Sequence, residues 1–304
     1  MKDASGALRE TVELPGGGRA AYEVVGDGEP LVYLQGGPGF SANLLRDDAA
    51  LLADRFAVYL IDPHGSGGST APADPSAYDH LGHARFYDAV RRALGLERVT
   101  VMGISFGAIV ALTYAALFPA ATARCIAISA RAVGEEEEGD EAAEEMERML
   151  SRHADAPWYA TARATWDSWT ESALAATDGS ELDAMMAAVL PLYTAHPERP
   201  RVARLIEAWR RDARTDLAAV HAWEGGLWQT IDIRPLLGRI ACPTLLVTGA
   251  LDMICGPAHG RAIAREIPHA EVVVVPDCGH FIPAEAPDEF REAVPAFCAA
   301  HPAA

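Results

Sequence analysis

The sequence predicts an α/β fold, a mostly parallel sheet with helices on both faces. Two observations carry that prediction. Short apolar, β-branched runs alternate with helix-periodic segments over most of the 304 residues. One such run, Val99-Thr100-Val101-Met102, passes through Gly103-Ile104-Ser105-Phe106-Gly107 straight into a helix-forming stretch, residues 108–117, that stops before Pro119. A strand, a tight Gly-x-Ser-x-Gly turn and a helix form the context that pushes a serine hydroxyl out above a sheet edge. Small residues at 103 and 107 leave room for the strained serine. The N–H groups and positive dipole end of the following helix face the same spot.

The other elements follow in order. Residues 10–26 alternate polar and apolar around Pro15-Gly16-Gly17-Gly18 and predict an antiparallel hairpin. Leu31-Val32-Tyr33-Leu34 reads as a buried strand running into Gln35-Gly36-Gly37-Pro38-Gly39. Residues 43–55 have helical periodicity, residues 57–61 form the next strand, and residues 80–94 are helical before the strand at 99. Cys125-Ile126-Ala127-Ile128-Ser129 is a further strand.

From 131 to 228 no strand pattern is convincing, and this segment is expected to be a helical domain inserted into a core of residues 1–130 and 229–304. Prolines at 157, 191, 197 and 200 break it, and Glu135-Glu136-Glu137-Glu138 reads as a solvated helix start. All six tryptophans, Trp158, Trp166, Trp169, Trp209, Trp223 and Trp228, fall in it, which suits an apolar floor facing a cavity, or, for any one of them taken singly, packing that fixes the insert onto the sheet. Strands return at residues 244–248 and 272–275, separated by a helix over 258–266, and a last helix begins at Pro287 with Pro295 inside it.

The formal net charge of −18 sets this surface against nucleic acid and anionic membranes, which would repel it. No apolar run is long enough to span a bilayer, and the first ten residues lack the apolar core of a signal peptide. The five cysteines are scattered and odd in number, which fits a reduced, cytoplasmic protein with incidental thiols. Histidine and cysteine spacing gives no metal-ligand cluster, so neither metal nor organic cofactor is expected. A small molecule or short peptide is the expected partner; nothing in the chain sets an oligomeric state.

A serine hydroxyl needs a base within hydrogen-bond reach, and the base needs an anion to hold its tautomer. His280 follows the last strand after Gly279, and Asp252 follows the strand before it in Gly249-Ala250-Leu251-Asp252. The order Ser105, Asp252, His280, each just past a strand, is the order this architecture requires. Asp277 is the rival acid, but its closeness in sequence to His280 suits it better to shaping the turn. Donors for an oxyanion are expected from the backbone N–H groups of Phe106 and Gly37.

These residues resemble the α/β-hydrolase superfamily and, within it, the proline iminopeptidase group of serine peptidases. Gln35-Gly36-Gly37-Pro38-Gly39 is similar to that group's His-Gly-Gly-Pro-Gly loop, Asp62-Pro63-His64-Gly65-Ser66-Gly67-Gly68-Ser69 to its Asp-Gln-Arg-Gly-x-Gly-x-Ser segment, and Gly279-His280 to its terminal Gly-His. The resemblance implies an α/β-hydrolase fold with eight strands, a helical cap over the site, and release of an N-terminal residue. That group places a glutamate directly after a Trp-x-x-Trp pair to hold the substrate's free ammonium, which points to Trp166, Trp169 and Glu171 as substrate contacts; Trp228 is a further candidate contact. Three departures stand out: Gln35 for His, His64 for Arg, and Glu171 one place late after Trp166-Asp167-Ser168-Trp169. On a helix that shift turns a side chain by about 100°. Glu224, Asp167 and Glu198 are the other cap carboxylates in question. An esterase, lactonase or thioesterase, carbon–carbon bond hydrolysis, and an idle ligand-binding homologue are the alternative readings.

Overall fold

The computed structural model describes residues 9–134 and 140–303. The extreme N-terminus and the run at 135–138 lie outside these residues. Among those described, eight strands form one sheet in the order β1-β2-β4-β3-β5-β6-β7-β8. They are β1 (Glu10–Glu13), β2 (Arg19–Val25), β3 (Glu29–Leu34), β4 (Phe56–Ile61), β5 (Val99–Ile104), β6 (Thr122–Ile128), β7 (Thr244–Gly249) and β8 (Ala270–Val275). The β1–β2 hairpin and the β2–β4 pair are antiparallel, and every pair from β4 onward is parallel.

Parallel strands covered on both faces read as continuous apolar runs because alternate residues enter opposite cores. That holds here. Val32, Leu34, Val99, Val101 and Cys125 pack with the helices His80–Ala93 and Phe106–Leu117 on one face. Leu31, Tyr33, Met102, Ile104 and Ile126 pack with Phe290, Val294 and Phe297 of the helix Pro287–Ala300 on the other.

Residues 43–55 are not one helix. A 3₁₀ turn at Ala42–Leu45 passes into a single α turn at Arg46–Ala49, and the chain then turns back into β4. The apolar positions predicting a helix, Leu45, Ala49 and Leu52, are buried against the sheet all the same. Pro200 opens the helix Pro200–Asp212 rather than breaking one, since a proline at the first position removes no needed N–H.

The chain between β6 and β7 carries helices at Asp140–Leu150, Tyr159–Asp167, Trp169–Ala175, Gly179–Val189, Pro200–Asp212 and Leu217–Ala222. Its two ends meet. Val133 and Asp232 form an isolated antiparallel bridge, flanked by Gly134 N–H to Ile231 O (2.9 Å) and Ile233 N–H to Ala132 O (2.8 Å). Among the described residues, no helix is long and apolar enough to cross a membrane.

Candidate active site

β5 ends in the Gly-x-Ser-x-Gly turn. Ser105 takes φ 55° and ψ −122°, a strained backbone for a residue with a β-carbon. Sterics explain its neighbours. A β-carbon on Gly103 would stand 2.0 Å from the Gly107 carbonyl oxygen, and one on Gly107 would stand 2.3 Å from that of Leu34. The Ser105 N–H is tied to Ile128 O of β6 at 2.9 Å, so the turn is held by the sheet and the hydroxyl is left above it.

The loop after β3 lies against this turn. A β-carbon on Gly36 would come within 3.2 Å of Ser105 Cβ. Gly37 has φ 73°, and a β-carbon there would strike the Phe40 ring, so only glycine fits. Phe106 opens the helix Phe106–Leu117, where first-turn N–H groups have no carbonyl four residues back to bond. Gln35, Gly37, Ser105, Phe106 and His280 line one cavity of about 210 Å³.

His280 and Asp252 are both 2 % exposed, and His280 Nδ1 lies 2.9 Å from Asp252 Oδ2. The other carboxylate oxygen accepts the N–H groups of Ile254 and Cys255, each at 2.9 Å. Burial alone pushes the Asp252 carboxyl up. The His280 partner and those two amides outweigh it and hold the carboxyl below its ordinary range. The His280 backbone is fixed on both sides: its N–H donates to Tyr193 O and its carbonyl accepts from Ser129 Oγ, each at 2.9 Å. The rings of Tyr193 and Phe281 stand edge-on to the imidazole at 5.5 and 5.2 Å. The Ser105 hydroxyl makes no hydrogen bond to His280 here, although both face the cavity. Free enzymes often close that contact only around a substrate.

Asp277 points elsewhere. It pairs with His196 at 2.7 Å and Arg199 at 2.8 Å, at a turn where its own φ is 51°. Asp62 is wholly buried and accepts from the amides of Ala42 and Gly68, which organises the segment that follows it. His64 stacks on Phe86 at 4.7 Å, a packing role.

The cap meets the cavity through Trp169, Trp209, Trp223 and Trp228, while Trp158 and Trp166 do not reach it. Trp166 packs against Tyr193 instead, at 5.6 Å. Glu171 requires correction: it is exposed and off the cavity wall, as its one-residue offset turns it away. The cap carboxylate that does line the cavity is Glu224. It accepts from Trp169 Nε1 at 2.7 Å and Thr170 Oγ1 at 2.8 Å. The π-type turn Trp223–Leu227, made possible by Gly226 at φ 122°, brings Trp223 and Glu224 to this wall.

Donor atoms of Asp252, Cys255 and His280 lie within 4.8 Å of one another. As metal ligands they fit poorly. Asp252 and His280 spend their facing atoms on each other, and burial with the nearby Asp252 charge pushes the Cys255 thiol well up, away from the thiolate a metal needs.

Two residues escaped the sequence reading. Glu285, 3 % exposed, accepts three amides: Ala195 at 2.7 Å, Gly279 at 3.0 Å and Phe281 at 3.1 Å. It clamps the loop that carries His280 to the cap. Its signal was a lone carboxylate between Pro283-Ala284 and Ala286-Pro287, a polar residue with no solvated face to occupy. Arg131 also lines the cavity; it is the first charge after β6 on the edge that carries Ser105.

Comparison with known proteins bears out the fold. Residues 29–287 match the alpha/beta hydrolase fold family. The chain is 25 % identical over 289 residues to a probable proline iminopeptidase of Leptolyngbya boryana, covering 85 % of this chain and 84 % of that one. It is 25 % identical over 268 residues to 3-oxoadipate enol-lactonase 2 of Acinetobacter baylyi, covering 88 % of each. The solved structure of a thermophilic esterase from Thermogutta terrifontis superposes with a TM-score of 0.70 at 24 % identity, over 97 % of this chain and all of that one (100 %). The chain therefore belongs to the alpha/beta hydrolase fold family, as a hydrolase similar to the proline iminopeptidases.

Proposed function

We propose that this chain is a serine hydrolase that turns over a small ester or lactone through an acyl-enzyme. Ser105 Oγ attacks the carbonyl carbon, and His280 Nε2 takes its proton. Asp252 holds the tautomer and stabilises the imidazolium. The Phe106 and Gly37 amides receive the developing oxyanion. His280 returns the proton to the leaving group; a water, deprotonated by the same imidazole, then frees the acid. The observation that carries this reading is a strained serine at the end of a central strand, facing a covered cavity shared with a histidine whose far nitrogen is bonded to a buried carboxylate.

Ester over amide rests on Glu171 facing solvent, where the resemblance requires a carboxylate for a substrate ammonium. A second reading, release of an N-terminal residue, is favoured by Glu224 on the cavity wall. The two separate on substrates. Short p-nitrophenyl esters should be hydrolysed at least tenfold faster than aminoacyl arylamides. The reverse order, abolished by acetylating the amine, establishes the peptidase. A fluorophosphonate probe should label the parent and not Ser105→Ala; labelling that survives the substitution removes Ser105 as nucleophile. Five free, buried thiols support a reducing compartment such as the cytoplasm.

A further inference from the structure

The cavity wall carries a cation with no use in the reaction just described. Arg131 is 8 % exposed, and its Nε is buried without a hydrogen-bond partner. Among the described residues, no carboxylate lies within ion-pair distance of its guanidinium. Of the two carboxylates on the same wall, Glu224 is engaged by Trp169 and Thr170, and Asp48 accepts from the Tyr33 hydroxyl. The guanidinium is nonetheless held in place, with Cζ 5.3 Å from the centre of the Trp228 ring. Trp228 packs on Trp223 at 4.7 Å, and Trp223 on Phe106 at 4.7 Å, so one run of aromatic rings joins the cation to the residue that follows Ser105.

A charge withdrawn from water is expensive unless an opposite charge or full hydrogen bonding meets it. Stacking on an indole offsets only part of that expense. A buried guanidinium on the wall of a mainly apolar cavity, with its Nε unpartnered, is a fork of donors matched to a planar anion. We infer that Arg131 is a specificity-determining residue for an anionic substrate: the ester or lactone hydrolysed here carries a second, free carboxylate that pairs with this guanidinium while its carbonyl sits at Ser105. This rests on the hydrolase reading for the chemistry, but not for the binding.

The test therefore has two arms. In the first, Ser105→Ala protein is titrated with succinate, glutarate and adipate and with their neutral diamides, following tryptophan fluorescence. At least one dicarboxylate should bind tenfold or more tighter than its diamide, and adding Arg131→Met should abolish the difference. In the second, kcat/KM is compared for mono-p-nitrophenyl adipate and p-nitrophenyl hexanoate. The parent should prefer the anionic ester by tenfold or more; the ratio should fall to about one in Arg131→Met and lie between in Arg131→Lys. Should the Met variant fail to fold, the parent's preference and the Lys variant still decide. Dicarboxylates that bind no better than diamides, or a preference untouched at position 131, overturn the anion site even if neutral esters are hydrolysed. Arg131-dependent binding with no turnover of either ester upholds the site and removes the ester-hydrolase reading.

Discussion

At the scale of single residues, most of the chemistry lies in groups whose surroundings resist their charge. Asp252 is the favourable case, because amides and an imidazole meet it on both oxygens. Asp48, also on the cavity wall, is the unfavourable one. Burial pushes its carboxyl up to about 7; Arg201 pulls it down, Asp47 pushes it up, and a hydrogen bond from the Tyr33 hydroxyl pulls it down. A carboxyl raised on folding favours the native state while it is protonated. Its contribution is complete below the ordinary carboxylate range and is lost as pH rises through about 7. Asp48→Asn keeps the neutral form at every pH. Its melting temperature should match the parent near pH 4 and exceed it by about 3 °C or more at pH 8. Thermal unfolding across that range checks the sign, and a gap that narrows with pH refutes it. These residues also mark how far the sequence could be read. Ser105, Asp252 and His280 each follow a strand and were legible from order and spacing. Glu224 and Arg131 were not, because nothing local says which charges of a helical insert turn inward.

At the scale of elements, Glu285 joins two parts of the chain that the sequence presents separately. Its carboxylate bonds the amides on either side of His280 and one from the cap, Ala195. The geometry makes it a positioning residue: it stands off the cavity wall and fixes the loop that carries His280. Removing it leaves three amides without partners, each worth about 1–3 kcal/mol when buried. Glu285→Ala should accordingly unfold well below the parent temperature. Glu285→Gln retains part of the clamp. It should fold, lower kcat for a p-nitrophenyl ester by tenfold or more, and leave KM within about threefold. A fall confined to KM, or no fall, would mean that the clamp serves stability alone. The one-residue offset of Glu171 belongs to this scale too: the helix was legible, and its rotation predicts the exposed side chain found. Residues 43–55 misled for the converse reason. Their apolar spacing satisfies burial against the sheet in a 3₁₀ turn and short helix as well as in a continuous one.

At the scale of the whole molecule, the sheet was legible because each parallel strand is buried on both faces and so announces itself as an apolar run. The insert was legible only as helical. Its packing depends on long-range contacts such as Asn43 Nδ2 to Asp212 O at 2.9 Å and Tyr78 Oη to Asp216 Oδ1 at 3.1 Å, which no local pattern encodes. The bridge between Val133 and Asp232 gives this division a practical meaning. Because the segment departs and returns at one doorway, the sheet beneath needs only a short splice there to accept a different roof. A chimaera carrying, between those two positions, the corresponding segment of the Leptolyngbya boryana relative should still react with fluorophosphonate at Ser105 while its ranking of acyl groups follows the donor. Substrate choice and bond-breaking would then be separately inheritable traits, exchanged at a single seam.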